Sequence, residues 1–244
     1  MSSTQTKIAL VTGATRGIGL ETARQLAEAG LHVLLAGRDR KKAVAASLTL
    51  QAQGLDVEAI ALDVANDDSI AAAADEVARK HGHLDVLVNN AGVLRDDLQR
   101  KPSEQPLSAW RETFDTNVFG VVATTQAFLP LLKKAPAARI VNVSSILGSI
   151  SAHLDPASPI YEFKVPAYNV SKSAVNAWTV QLAHELRGTS IKVNAVHPGS
   201  VKTDMNAGGD LTVENGARTS VRMALRDADG PTGGFVHFED TLPW

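Results

Sequence analysis

The 244-residue chain contains no cysteine, which excludes disulfide bridges and thiolate metal sites at once. Aromatic residues are scarce, and with only two tyrosines any phenol chemistry rests on Tyr161 or Tyr168. Neither sign of charge dominates: 24 Lys and Arg stand against 26 Asp and Glu, a formal net charge of −2. That balance gives no basic field for nucleic acid or an anionic membrane. Long apolar runs are missing too, and the opening MSSTQTK-IALVTGA is too short for a secretory core or a membrane span. These absences leave a cytoplasmic globular protein as the default, with no metal and a small neutral partner. A hydrophobic content of 44% supplies ample material for one core.

Short apolar runs recur along the chain: KIALVTGA, HVLLAGR, VEAIALDV, LDVLVNNAG, ARIVNVSS, IKVNAVHPG and GGFVHF. They are continuous rather than alternating, as in parallel strands covered on both faces. Helical stretches separate them at 17–29, 38–53, 67–82, 108–134 and 167–187. The βαβ alternation predicts an α/β fold, a Rossmann-like doubly wound parallel sheet with helices on both faces. No linker or repeat divides it, so residues 1–244 form one domain, its nucleotide-binding part at about 7–145 and its catalytic and substrate part at about 145–244. Ligands of such sheets bind beyond the carboxyl ends of the strands. Segments 146–166 and 200–211 both follow strands and are expected to supply a substrate wall and a lid.

VTGATRGIGLETA ends the first strand and opens a helix, with Gly13, Gly17 and Gly19 leaving room for backbone N–H groups to meet a pyrophosphate at the positive helix end. Thr15, Arg16 and Ile18 complete this turn. The second strand ends in Gly37-Arg38, where an NAD site would carry a carboxylate. Arg38, with Arg16 from the other side, suits a 2′-phosphate, which favours NADP(H); the neighbouring Asp39 is the one acid close by. Asp63, with Val64, follows the third strand and is placed to accept from the adenine amino group. Asn89, Asn90, Ala91 and Gly92 end the fourth strand either beside the cofactor or as satisfied turn residues.

YNVSK sets Tyr168 and Lys172 four residues apart on one helical face. A nearby ammonium favours phenolate, and the pairing is expected to lower the tyrosine's value by about 2–3 units, about 3–4 kcal/mol, to make an acid/base tuned nearer neutrality. Ser144 and Ser145 end the fifth strand with hydroxyls that suit a carbonyl oxygen. Tyrosine and lysine at this spacing are common, and the pair gains its weight from the nucleotide turn upstream.

TGATRGIG, NNAG, NVSS, YNVSK and HPGSVKTDM, in this order and on these elements, resemble the short-chain dehydrogenase/reductase superfamily over nearly the whole chain. The resemblance implies hydride transfer between a nicotinamide and a carbonyl or alcohol. It implies Tyr168 as proton donor, Lys172 on the nicotinamide ribose, and Ser145 on the substrate oxygen. Asn117 would anchor a water that links Lys172 to solvent. Pro198, Gly199, Val201 and Thr203 would lie along the nicotinamide. The extra residues between Ser145 and Tyr168 look like the carbonyl-reductase branch that includes plant salutaridine and menthone reductases, and there such a segment covers the dimerisation face, which implies a monomer.

Tyr161 has Val165 four positions on and cannot make the same pair. With Phe163 it is expected to wall the substrate site or anchor the loop, while His153 is expected at the surface. Val93, Leu94, Ile146, Leu147 and Met205 would complete an apolar pocket for a small hydrophobic ketone or aldehyde. Two rival functions predict other features: a non-catalytic NADP sensor would not need Ser145, Tyr168 and Lys172, and a sugar-nucleotide epimerase would carry a separate substrate domain.

Overall fold

The first apolar run forms β1 (Ile8–Val11), buried throughout, and the glycine turn after it opens α1 (Gly17–Glu28). The alternation continues with β2 (His32–Gly37), α2 (Arg40–Gln51), β3 (Val57–Ala61), α3 (Asp67–His81) and β4 (Val86–Asn89). Next come α4 (Leu107–Phe114), a π-turn at Asp115–Phe119, α5 (Gly120–Leu132), β5 (Arg139–Val143) and the short α6 (Ile150–Leu154). The chain closes with α7 (Pro166–Glu185), β6 (Lys192–Val196), α8 (Val213–Ala224), β7 (Phe235–His237) and β8 (Asp240–Thr241). The structure, a computed structural model, describes residues 6–244.

The strands form a single sheet in the order β3-β2-β1-β4-β5-β6-β7-β8, parallel except for the last pair. The strand order reverses between β1 and β4, and the carboxyl ends of these two strands open the crevice expected of a doubly wound sheet. Leu10, Leu34, Leu87 and Ile140 face one helix layer with Phe128, Leu132 and Leu182. Val11, Leu35, Val88 and Val141 face the other with Leu26, Leu50 and Met223. The strands β1, β2, β4, β5 and β6 therefore bury both faces, which is why their apolar runs show no alternation.

Besides the short α6 inside the expected loop 146–166 and the terminal β8, three elements differ from the sequence reading. The helix expected over 108–134 is two helices joined by the π-turn, which turns Asn117 fully inward; such turns are frequent at functional sites. Helix α8 goes unforeseen because its buried face is mostly small, Gly216, Ala217, Thr219, Ser220 and Ala224, with Met223 as its large apolar residue. Helix α2 starts at Arg40 because Asp39 caps it, accepting from the N–H groups of Lys41 and Lys42.

Candidate active site

Gly13 makes the turn after β1 possible: its φ is +62°, and a Cβ there would lie 2.8 Å from Ala91 Cα. The turn is clamped from β4. Asn90 Nδ2 donates to Thr12 O at 2.8 Å, and the N–H groups of Asn90 and Ala91 both donate to Thr12 Oγ1 at 3.0 Å. Asn90 thus holds the turn rather than presenting its amide to the crevice, and Gly19 is required because any Cβ would strike that amide. Asn89 points away altogether, into a buried chain with Thr125, Asn142 and Thr179. Thr12 and this polar chain escape sequence reasoning because their partners are far off in sequence.

Helix α1 has no side-chain cap and no acid in its first turn, in contrast to α2, α3 and α8 with their Asp39, Asn66 and Thr212 caps. Among the described residues the N–H groups of Gly17, Ile18 and Gly19 meet no protein acceptor. A Cβ on Gly17 would touch only Thr203 Cγ2, at 3.8 Å, so the turn faces open space. Unsatisfied donors at a helix's positive end, with room before them, fit a pyrophosphate.

Thr15 packs its methyl against Gly37, bringing the ends of β1 and β2 together. Arg38 is exposed and has no ion pair among the described residues. Asp39, spent on the α2 cap, does not compete for a ribose. Arg16 departs from expectation: it pairs with Asp204 of segment 200–211 rather than standing free beside Arg38. Both groups are about three-quarters exposed, and a pair that open is worth no more than about 1 kcal/mol. Asp63, half-buried, accepts from Ala65 N–H at 3.1 Å, and Val64 is buried beneath Gly120.

At the reactive end, Pro166 opens α7 with no cap from its own neighbourhood. Asp96, buried and 71 residues upstream of Ala167, supplies it instead: its carboxylate accepts from Ala167 N–H at 2.8 Å and Tyr168 N–H at 3.0 Å. Gln105 secures the loop that delivers Asp96, bonding both the N–H and the carbonyl of Asp97. Asp96→Ala is expected to cost about 1–2 kcal/mol of stability and to lower kcat more than it raises KM. Asp96→Asn, which keeps an acceptor, is expected to recover most of both; thermal melts with steady-state kinetics check this, and equal kcat in all three proteins would contradict it.

Lys172 is buried, 4% exposed, and its Nζ donates to Val143 O at 2.9 Å. That leaves ammonium protons for other acceptors, which fits ribose hydroxyls. The same Nζ lies 5.5 Å from the centroid of the Tyr168 ring. Gly148 brings the inserted segment onto this helix, since a Cβ there would lie 2.7 Å from the Lys172 carbonyl carbon. Ser144 is spent on Asn176 Oδ1 at 2.6 Å. Ser145 accepts from Leu147 N–H at 3.2 Å, which leaves its own O–H for another acceptor. The serine pair therefore divides into one structural and one available hydroxyl.

The expected tuning of the phenol is reversed. Burial pushes Tyr168 up to about 12, with the Ser145 hydroxyl pulling the other way. Burial alone pulls Lys172 down to about 8. Desolvation is the largest cause of both shifts. Tyr168 thus stays protonated at neutral pH, as a proton donor must.

The Asn117 side chain is fully engaged within the protein. Its Oδ1 accepts from Val93 N–H at 2.8 Å, and both protons of Nδ2 are used, on Val93 O at 2.9 Å and Ser171 Oγ at 3.0 Å. It ties the end of β4 to α7 beside Gly92, whose absent Cβ would lie 3.6 Å from Lys172 Nζ.

Past β6, His197 is held down to about 3 by burial and by neighbouring His237. As a neutral ring it accepts from Gly199 N–H at 3.4 Å while His237 Nδ1 donates to the His197 carbonyl at 2.8 Å. Pro198 and Val201 are buried, and Thr203 is half-buried beside Gly17. Segment 200–211 is tied to itself, with Thr203 and Asn206 exchanging two backbone hydrogen bonds and Leu211 bonded to both Ser200 and Lys202.

Of the expected pocket residues, Val93, Leu94, Ile146, Leu147 and Tyr161 are half-buried. Phe163 and Met205 are 49% and 48% exposed and do not form a closed wall. The Tyr161 ring sits under the Lys164 ammonium at 5.3 Å. His153 is not a plain surface residue: it bridges Leu147 O at 3.0 Å and Lys164 Nζ at 3.1 Å, pinning the inserted segment.

A model of the short chain dehydrogenase family matches residues 7–212. Short-chain dehydrogenase/reductase 1 of Saponaria officinalis is 36% identical over 294 aligned positions, covering 98% of this chain and 97% of that protein. The NADPH-bound carbonyl reductase from chicken fatty liver superposes with a TM-score of 0.85 at 30% identity, covering 98% of this chain and all of the other. Salutaridine reductase from Papaver somniferum gives a TM-score of 0.82 at 31% identity, over 94% of this chain and 99% of that one. Sequence and structure thus agree along the full length of the fold, and the chain belongs to the short-chain dehydrogenase family, in a carbonyl-reductase-like branch.

Proposed function

We propose that the protein is an NADPH-dependent reductase of apolar ketones and aldehydes, able to run in reverse as an alcohol dehydrogenase. The observation that carries this reading is the Tyr168 phenol, kept protonated beside the available Ser145 hydroxyl and the buried Lys172 ammonium. The first-turn N–H groups of α1 would hold the pyrophosphate, Arg38 the 2′-phosphate, Asp63 the adenine and Lys172 the ribose hydroxyls. Bound NADPH supplies the hydride that a carbonyl carbon accepts.

Ser145 donates its O–H to the carbonyl oxygen and polarises it. Tyr168 passes its proton to that oxygen as negative charge develops there. The phenolate left behind is stabilised by Lys172. Since the resting phenol holds its proton up to about 12, reduction is favoured near neutrality and alcohol oxidation gains as pH rises. The sensor alternative needs none of these three groups.

A ketone panel run in parallel with NADPH and NADH tests the reading. Turnover with NADPH, better on aryl and alicyclic ketones than on keto acids, is expected; binding without turnover on any carbonyl would overturn it. Arg38→Asp is expected to weaken NADPH binding by about 10- to 100-fold, as the loss of one or two charge-assisted hydrogen bonds predicts, while NADH binding changes little. Fluorescence titration reads both constants, and an equal effect on the two cofactors would remove Arg38 from the 2′-phosphate site.

A further inference from the structure

A cluster at the opposite end of the sheet takes no part in the site above. His32 is the first residue of β2, Glu58 the second of β3, and His81 the last of α3. Glu58 pairs in register with Leu34, and residues 32 and 34 of one strand project to the same face. His32 and Glu58 therefore share a face, and the last turn of α3 brings His81 against it.

Glu58 divides its carboxylate. One oxygen takes the Lys80 ammonium, while Oε2 faces His81 Nε2 at 3.3 Å and His32 Nε2 at 3.6 Å. These separations are long for N–H···O hydrogen bonds, and both Nε2 atoms are buried without a hydrogen-bond partner among the described residues. Buried polar atoms normally have partners. The same separations suit atoms that share a cation, since ligands each ~2.0–2.1 Å from a tetrahedral Zn²⁺ stand ~3.3–3.5 Å apart. All three ligand atoms lie within 4.8 Å of one another. On its far side His32 Nδ1 lies 2.8 Å from Asp56 Oδ1, a carboxylate that keeps the proton on Nδ1 and leaves the Nε2 lone pair directed inward.

We propose that His32, Glu58 and His81 form a Zn²⁺ site, with Glu58 binding through Oε2, Asp56 orienting His32 and water completing the tetrahedron. Lying at the amino ends of β2 and β3, away from the crevice, the ion fastens the edge strand β3 to α3 and leaves carbonyl reduction untouched. Lys80 on the other carboxylate oxygen keeps the affinity moderate.

The test uses the tag-free full chain, stripped with chelator and titrated with Zn²⁺ under calorimetry and thermal unfolding, and with Co²⁺ under visible absorption. One Zn²⁺ per chain, a rise in Tm and the intense bands of four-coordinate Co²⁺ are expected. His81→Gln and Glu58→Gln should lose the site, Asp56→Asn should bind about 10–100-fold more weakly, and His153→Gln should bind like the parent. Zn²⁺ binding of equal strength in His81→Gln, a pale six-coordinate Co²⁺ spectrum, or no saturable binding would overturn the proposal. The Co²⁺ spectrum of the unmutated chain decides the matter even where a variant folds poorly, and none of these readouts depends on carbonyl reductase activity.

Discussion

Replacing Tyr168 by phenylalanine is expected to lower kcat/KM for ketone reduction by about 10²–10⁴-fold, the usual contribution of a positioned general acid. The substitution removes only the hydroxyl. The ring that the Lys172 ammonium overlies remains, as does the backbone N–H that Asp96 accepts. NADPH binding and the melting temperature should therefore change little. Because burial holds the phenol at about 12, the defect should be uniform across the neutral range rather than disappear at one end of it. Tyr161→Phe provides the contrast: that ring lies under Lys164 in the inserted segment, and its loss of a hydroxyl should leave turnover nearly intact. Unchanged turnover in Tyr168→Phe, or a comparable loss in Tyr161→Phe, would move the acid elsewhere.

Lys172→Met is expected to separate activity from stability. The folded-state value is about 8 against an unfolded 10.5, so between those two pH values the unfolded chain binds more protons than the folded one. Stability from this group is therefore full above about 10.5 and lost as pH falls through about 8. At neutral pH the buried ammonium costs about 3 kcal/mol, offset by about 1 kcal/mol for its bond to Val143 O. The variant should accordingly gain about 2 kcal/mol in urea unfolding at pH 7, from removal of a buried charge that folding otherwise desolvates. Its turnover should fall at least as far as that of Tyr168→Phe, since the phenolate formed in reduction loses its cation and the ribose its donor. In the unmutated enzyme, kcat/KM for NADPH should decline as pH rises past about 8, where Lys172 gives up its proton. A destabilised Lys172→Met, or a profile flat through that region, would contradict this assignment.

The sequence reveals most where the relevant residues are neighbours in the chain. The glycine turn, the Tyr168/Lys172 spacing and the seven principal strands all depend on local periodicity or on a turn followed by a helix. Asp96 could not be found that way, because its partners at Ala167 and Tyr168 meet it only after the sheet is assembled. The same holds for the Arg16–Asp204 pair, which joins segments 188 residues apart, and for His32, Glu58 and His81. Asn117 was located, but the partners of its amide were not, since only the π-turn shows it turned onto Val93 and Ser171. The direction of the Tyr168 shift also needed the fold. Spacing supplies the cation, but burial, opposed by the Ser145 hydroxyl, sets the direction of the shift.

The central claim is that this chain passes hydride from NADPH to a ketone carbon while its own phenol supplies the proton. Incubating the protein with an aryl ketone and NADPH deuterated at both C4 positions, then reading the product by mass spectrometry and NMR, tests it most directly. The account predicts an alcohol with deuterium on the carbinol carbon, formed by the unmutated enzyme and nearly absent with Tyr168→Phe. Recovery of unlabelled ketone from a protein that binds NADPH tightly, or label transfer undiminished in Tyr168→Phe, would contradict it.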